Sequence, residues 1–183
     1  RANYYYTRNI LFGLTQSVNT VSVHTLNTLG LEYSFDFAKN KFGLDHLVER
    51  YVNSNGTVLT DLGIWPLAMG APTFGVTVRE MSAAYASFAN GGVYREARTF
   101  TKVYNSDGKL VLSNDQDSRQ VMSQKAVDYM NYCLDNVVKE GTGTPADIAG
   151  QHVAGKTGST TSNKDRWFCG YTDYYTAAVW CGY

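Results

Sequence analysis

The chain has 183 residues, 44% hydrophobic and 17% charged, with equal numbers of basic and acidic side chains and a formal net charge of zero. That length suits about one domain with a real core, and the even charge leaves no electrostatic footprint for nucleic acid or an anionic membrane surface. No run approaches the roughly 18 apolar residues of a membrane span, and no signal-peptide pattern is present.

The chain opens on RANYYYTRNILFG without a starting Met, which reads as an internal piece of a longer protein. Residues 7–16 predict a short helix with Ile10, Leu11 and Leu14 on one side. SVN at Ser17, Val18 and Asn19 interrupts it, and a second helix follows over residues 20–29, with Val21, Leu26 and Leu29 as its buried stripe. Residues 35–42 predict a third helix closed by Gly43. The polar NSNGT at 53–57 breaks the pattern. Thr77 and Glu80 are spaced as a capping box, in which hydroxyl and carboxylate satisfy each other's backbone amides. Met81, Ala84, Tyr85 and Phe88 follow at helical spacing, and Asn90, Gly91 and Gly92 stop the helix. FTKVYNSDGKLVL (100–112) reads as a β-hairpin with Asp107 and Gly108 at its turn. A helix is expected over 124–139, ending at GTGTPAD. Strands are expected over 152–160, 166–171 and 176–183, joined by the short turns TTSNKD and TDYY.

The pattern therefore predicts an α+β fold, a helical region followed by a three-stranded antiparallel meander. Residues 1–149 are expected to be mainly helical and 150–183 to form the closing strands. The 14 tyrosines are spread along the chain and read as packing residues. Cys133, Cys169 and Cys181 lack metal-ligand spacing and read as small hydrophobes. His24, His46 and His152 stand apart from any Cys or Asp at triad-like positions. No metal or cofactor is expected.

GQHVAGKTGST (150–160) fits two patterns. Gly150, Gly155, Lys156 and Thr157 match the phosphate-binding loop spacing, which needs a buried strand before it and a helix starting at the Lys-Thr. Upstream lies a loop with Pro145, and downstream the turn formers GSTTSNKD, so both supports are missing. The same letters contain Lys156-Thr157-Gly158, a motif of serine penicillin-recognising enzymes. On a strand, Thr157 and Ser159 project to one side and Lys156 to the other. Two hydroxyls can then hold a carboxylate, while Gly158 lets a peptide approach and pair along the strand edge. Ser17 and Asn19, at a break between helices, can point into a cleft or can serve as ordinary helix caps.

SVN, a long helical insert and KTG before two strands together resemble the transpeptidase domain of penicillin-binding proteins. LTQSVNTVSVHTLNTLGLEYSFDFAKNKFGL resembles the family's second motif region. GAPTFGVTVREMSAAYASFANGGVY resembles its G-x-T-x-x-E-M-A-x-A-Y-x-x-F-A-N-G-G helix, and EGTGTPADIAGQHVAGKTGSTTSNKDRWFCGY its third motif. DRWF-x-GY is most similar to class A, whose members also carry a glycosyltransferase domain. The resemblance implies a peptidoglycan DD-transpeptidase that acylates a serine with D-Ala-D-Ala stem peptides and binds β-lactams at the extracytoplasmic face of a bacterial membrane. It implies that Ser17 relays a proton to the leaving amine, that Asn19 binds the substrate amide, and that Lys156 tunes Ser17. Thr157, Gly158 and Ser159 would hold the substrate, with the Ser159 N–H as half of the oxyanion hole.

The family's S-x-x-K nucleophile precedes S-x-N, and the 16 residues before Ser17 contain no serine. The one later match, Ser106 to Lys109, falls in the hairpin turn, where Ser and Lys do not share a helix face. The nucleophile is therefore expected on a preceding part of the parent domain, and the isolated chain is expected to be inactive. A class B transpeptidase, a carboxypeptidase, a β-lactamase-like hydrolase and a non-catalytic peptide-binding module remain alternatives.

Overall fold

The computed structural model describes residues 8–183. Helix α1 (Ile10–Thr15) starts where the Asn9 side chain accepts a hydrogen bond from the Phe12 N–H. Thr7, the expected first helical residue, lies outside the described residues. The helix ends in a Schellman arrangement: the Val18 N–H donates to Gly13 O at 2.8 Å and the Ser17 N–H to Leu14 O at 3.2 Å. That motif needs a left-handed residue, usually glycine; here Ser17 occupies it, at φ +54°.

Helix α2 (Asn19–Leu29) crosses α1 so closely that a Cβ on Gly13 would lie 2.4 Å from Val21 Cγ1. The expected buried stripe is narrower than its sequence suggests. Leu26 is buried, but Leu29 is 55% exposed. Thr25 and Thr28 donate their hydroxyls to carbonyls one turn back, so much of this helix satisfies its polar groups locally rather than against a partner.

Gly30, at φ +93°, closes α2 and also opens α3 (Leu31–Asp36). The third helix consequently starts four residues before the expected position, and it widens into a π turn over Phe37–Lys41, where the Phe42 N–H reaches Phe37 O.

Two short strands, β1 (Tyr51–Val52) and β2 (Val58–Leu59), flank the NSNGT stretch, whose Asn53 carboxamide accepts from the Asn55 and Thr57 amides. Helix α4 (Ile64–Met69) carries Pro66 in its first turn, where a missing N–H costs nothing. Helix α5 (Val78–Ala89) begins with the expected capping box. Thr77 Oγ1 accepts the Glu80 N–H at 3.1 Å, and Glu80 Oε2 accepts the Thr77 N–H at 2.7 Å.

Strands β3 (Val93–Arg95), β4 (Lys102–Tyr104), β5 (Leu110–Ser113) and β6 (Ser118–Gln120) nest: β4–β5 form the expected hairpin and β3–β6 pair around it. Ser106 and Lys109 lie in the β4–β5 turn, which the Asn105 side chain closes by accepting the Asp107 and Lys109 amides.

Helix α6 (Gln124–Glu140) is capped by the Ser123 hydroxyl. Strands β7 (Ala154–Ser159), β8 (Asp165–Tyr171) and β9 (Thr176–Gly182) form an antiparallel sheet in that order, with β7 at an open edge among the described residues. Phe88 of α5, Leu134 of α6, Ala154 of β7 and Tyr171 of β8 meet in one core, with Phe42, Tyr85, Met122 and Met130 around them. Burying each large apolar side chain stabilises by roughly 1.5–3 kcal/mol, so this core fixes β7 against the helices. The α+β reading and its three-stranded meander are borne out.

Candidate active site

The site grows from two features of the backbone: the left-handed turn that closes α1, and the edge strand β7. The turn throws the Ser17 hydroxyl away from α1. The core anchors β7 at Ala154, two residues before Lys156, so Lys156 leaves the sheet at a fixed point. The Lys156 ammonium donates to Ser17 Oγ at 2.8 Å and to Thr157 O at 2.9 Å. Ser17 and Lys156 are 139 residues apart in the chain. Lys156 is half-buried with no carboxylate paired to it among the described residues, and burial lowers its pKa from the ordinary lysine value.

Asn19 is the first residue of α2 and is exposed; its side chain makes no hydrogen bond among the described residues. The N-cap of α2 is Val18, which offers no side-chain acceptor. Neither Ser17 nor Asn19 therefore caps the second helix, the bland role their residue types allow.

Thr157 hydrogen-bonds through its hydroxyl to the Thr142 hydroxyl, 2.7 Å away. Ser159 is exposed at the end of β7. The Thr160 N–H donates to Asp165 O across the β7–β8 pair, and strand alternation then turns the Ser159 N–H to the open edge. A Cβ on Gly158 would press against Trp167 Cβ of the neighbouring strand at 3.3 Å, so the glycine keeps that face of the sheet close-packed. The turn beyond β7 is locked by Asp165, whose carboxylate accepts from Thr160 Oγ1 and from Trp180 Nε1, each at 2.9 Å. A cleft of about 960 Å³ runs beside the strand, walled by Lys156 to Thr160 and by apolar groups including Phe74, Met81, Tyr85 and Trp167. Ser17 and Asn19 do not line it.

No helix starts at Lys156 and Thr157: residues 150–153 are loop and bend, and a strand follows. A phosphate loop has no support in that arrangement. Two histidines are less isolated than their sequence positions suggest. His152 Nε2 lies 3.2 Å from Asp135 Oδ1, and His46 Nδ1 lies 2.8 Å from Glu80 Oε1. Neither ring touches a hydroxyl or thiol among the described residues. Of the cysteines, Cys169 is buried opposite Lys156 in register, and burial pushes its thiol up to about 11, which keeps it protonated and inert. Cys181 is exposed, so the expectation that it packs as a small hydrophobe does not hold.

Thr142 is the residue at this site that the motifs do not single out. Its one sequence signal is a glycine on each side, in a tract that otherwise reads as a flexible loop.

The penicillin-binding protein transpeptidase domain family matches residues 2–183. Penicillin-binding protein 1A of Clostridium botulinum is 35% identical over 180 residues, covering 98% of this chain and 20% of the relative. Penicillin-binding protein 1F of Bacillus subtilis is 33% identical over 176 residues, covering 93% and 22%. The chain thus spans about a fifth of the length of these curated relatives. Among solved structures, the D,D-transpeptidase domain of a peptidoglycan glycosyltransferase from Eggerthella lenta superposes with a TM-score of 0.71 at 25% identity, covering 98% of this chain and 48% of that one. Penicillin-binding protein A of M. tuberculosis, solved as an imipenem acyl-enzyme complex, shares the fold with a TM-score of 0.72 at 17% identity, covering 96% and 42%. With the family match running over residues 2–183, the chain belongs to the penicillin-binding protein transpeptidase domain family.

Proposed function

We propose that this chain forms the proton-relay and substrate-holding wall of a serine DD-transpeptidase that cross-links peptidoglycan stem peptides and is acylated by β-lactams. The observation that carries the reading is the 2.8 Å contact between Lys156 Nζ and Ser17 Oγ.

Acyl transfer from a peptide requires a serine to lose a proton and a poor leaving amine to gain one. Ser17 Oγ accepts from Lys156, which leaves its own proton free for the departing nitrogen. The depressed lysine pKa lowers the cost of replenishing that proton through the amine. The Ser159 N–H, turned to the open edge, is placed to stabilise the oxyanion as charge develops. Thr157 and Ser159 offer hydroxyls to the terminal carboxylate, and Gly158 leaves room for the peptide backbone. Asn19, exposed and with no side-chain hydrogen bond among the described residues, is available to bind the substrate amide. The attacking serine belongs, by family likeness, to a preceding part of the domain, and the site works at the extracytoplasmic face.

The test is the rate of acylation by a fluorescent penicillin in the complete protein that carries this chain. Lys156→Met and Ser17→Ala should each slow it by roughly a hundredfold or more, the lower end of a general acid–base contribution. Wild-type rates in both variants would sink the assignment.

A further inference from the structure

The tract after α6 makes contacts that the three motifs leave without a role. Gly141 lies so close to α1 that a Cβ there would sit 2.3 Å from Thr15 O, and a Cβ on Gly143 would sit 3.1 Å from Val137 O. Between these two glycines, the Thr142 N–H donates to Thr15 O at 3.1 Å. Thr15 is two residues before Ser17. The Thr142 hydroxyl meanwhile meets the Thr157 hydroxyl at 2.7 Å. One residue therefore joins the turn carrying Ser17 to the strand carrying Lys156.

Each hydroxyl has a single proton and two lone pairs. If Thr157 donates to Thr142, Thr157 shows only lone pairs to an approaching anion. If Thr142 donates, Thr157 keeps its proton for that anion, and the accepted bond polarises it further. A carboxylate selects the second arrangement.

We propose that Thr142 is a positioning residue for carboxylate recognition, donating its hydroxyl proton to Thr157 so that Thr157 can donate to the terminal carboxylate of the peptide or β-lactam. This rests on the reading of Thr157 as a carboxylate-holding group. Thr142 touches neither the substrate nor the reacting atoms. Its role is to fix which way the Thr157 proton points.

The experiment compares acylation of the complete protein by a fluorescent penicillin with a free carboxylate and by its methyl ester, which lacks the anion. Thr142 is exposed, so Thr142→Val leaves the core intact, and a thermal melt verifies this. The expected result is a roughly three- to tenfold slower reaction with the acid, the scale of one net hydrogen bond, and no change with the ester. Thr142→Ser, which keeps the hydroxyl, should retain the wild-type ratio of acid to ester. An unchanged ratio in Thr142→Val, an equal loss with both probes, or a lost ratio in Thr142→Ser overturns the proposal. A wild-type protein that does not distinguish acid from ester would instead remove the carboxylate role of Thr157, a separable failure.

Discussion

Ser17 sits where the backbone prefers glycine, and that conflict can be measured. At φ +54° its Cβ crowds the backbone, a strain of about 1 kcal/mol for a non-glycine residue. Against this stands one hydrogen bond from Lys156, worth about 1 kcal/mol net at an exposed position. Ser17→Ala keeps the strain and loses the bond, so it should destabilise by about 1 kcal/mol. Ser17→Gly loses the bond and relieves the strain, so it should match the wild type to within about 0.5 kcal/mol. The two variants should therefore differ by about 1 kcal/mol in unfolding free energy, glycine above alanine. Urea unfolding of the complete transpeptidase domain, with acylation by a fluorescent penicillin measured alongside, tests this. Both variants should lose acylation alike, which would mark the serine as kept for chemistry at the expense of the turn. A glycine variant less stable than the alanine variant would refute the strain argument.

Three further outcomes are expected. Asp61 is fully buried and accepts from the Val48 N–H, the Thr73 N–H and the Thr73 hydroxyl at 2.7–2.9 Å; Asp61→Asn turns an amide against one of these donors and should cost about 2–3 kcal/mol in urea titration, and a loss under 0.5 kcal/mol would show that the loop repacks freely. For Glu80, burial raises the carboxyl, but hydrogen bonds from His46 and Thr77 outweigh it and hold the group at about 2. Its folded value is below the unfolded one, so its stabilisation is complete above about pH 5 and disappears as pH falls through about 2; the gap between wild type and Glu80→Gln, about 1–2 kcal/mol after solvent screening, should close across that window, whereas a pH-independent gap counts against it. Finally, the isolated 183-residue chain should not be covalently labelled by a fluorescent penicillin, and a label mapped by mass spectrometry to any of its serines would contradict the placement of the nucleophile elsewhere.

Much of the fold was legible where local chemistry and tertiary packing agree. Thr77 and Glu80 mark the start of α5 because a capping box is closed within four residues, and Asp107-Gly108 marks its hairpin for the same local reason. The meander was readable because three strand-like segments follow one another through short polar turns. What escaped depends on partners distant in sequence. Strands β3 and β6 pair across the inserted β4–β5 hairpin, and each is three residues long, too short for any alternation to show. Strands β1 and β2 are two residues each, and their turn, tied by the Asn53 side chain, reads from sequence as a simple break. Helix α4 hides behind Pro66, which is tolerated only because it falls in the first turn. Gly30 misled in another way, since one glycine both ends α2 and starts α3. At the site, Ser17 and Lys156 were found through motif spacing, but the left-handed cap that aims Ser17 was not, because serine is an unusual occupant of that position. Thr142 escaped because its value lies in the close packing of Gly141 and Gly143 against α1 and α6, which the letters GTG do not reveal.

The open edge of β7 has a bearing on how such a site could change over time. Recognition along a strand edge reads the amides and carbonyls that all peptides share, so it tolerates varied side chains in the peptide and concentrates discrimination at the chain end. A compound that imitates an extended backbone ending in a carboxylate exploits the same groups as the natural substrate. On the proposed reading the Thr157 and Ser159 hydroxyls hold the carboxylate and the edge amides hold the backbone, so a change on the strand itself would weaken substrate and inhibitor together. On the same reading, selective change would be left to residues outside the strand, among them Thr142 behind Thr157.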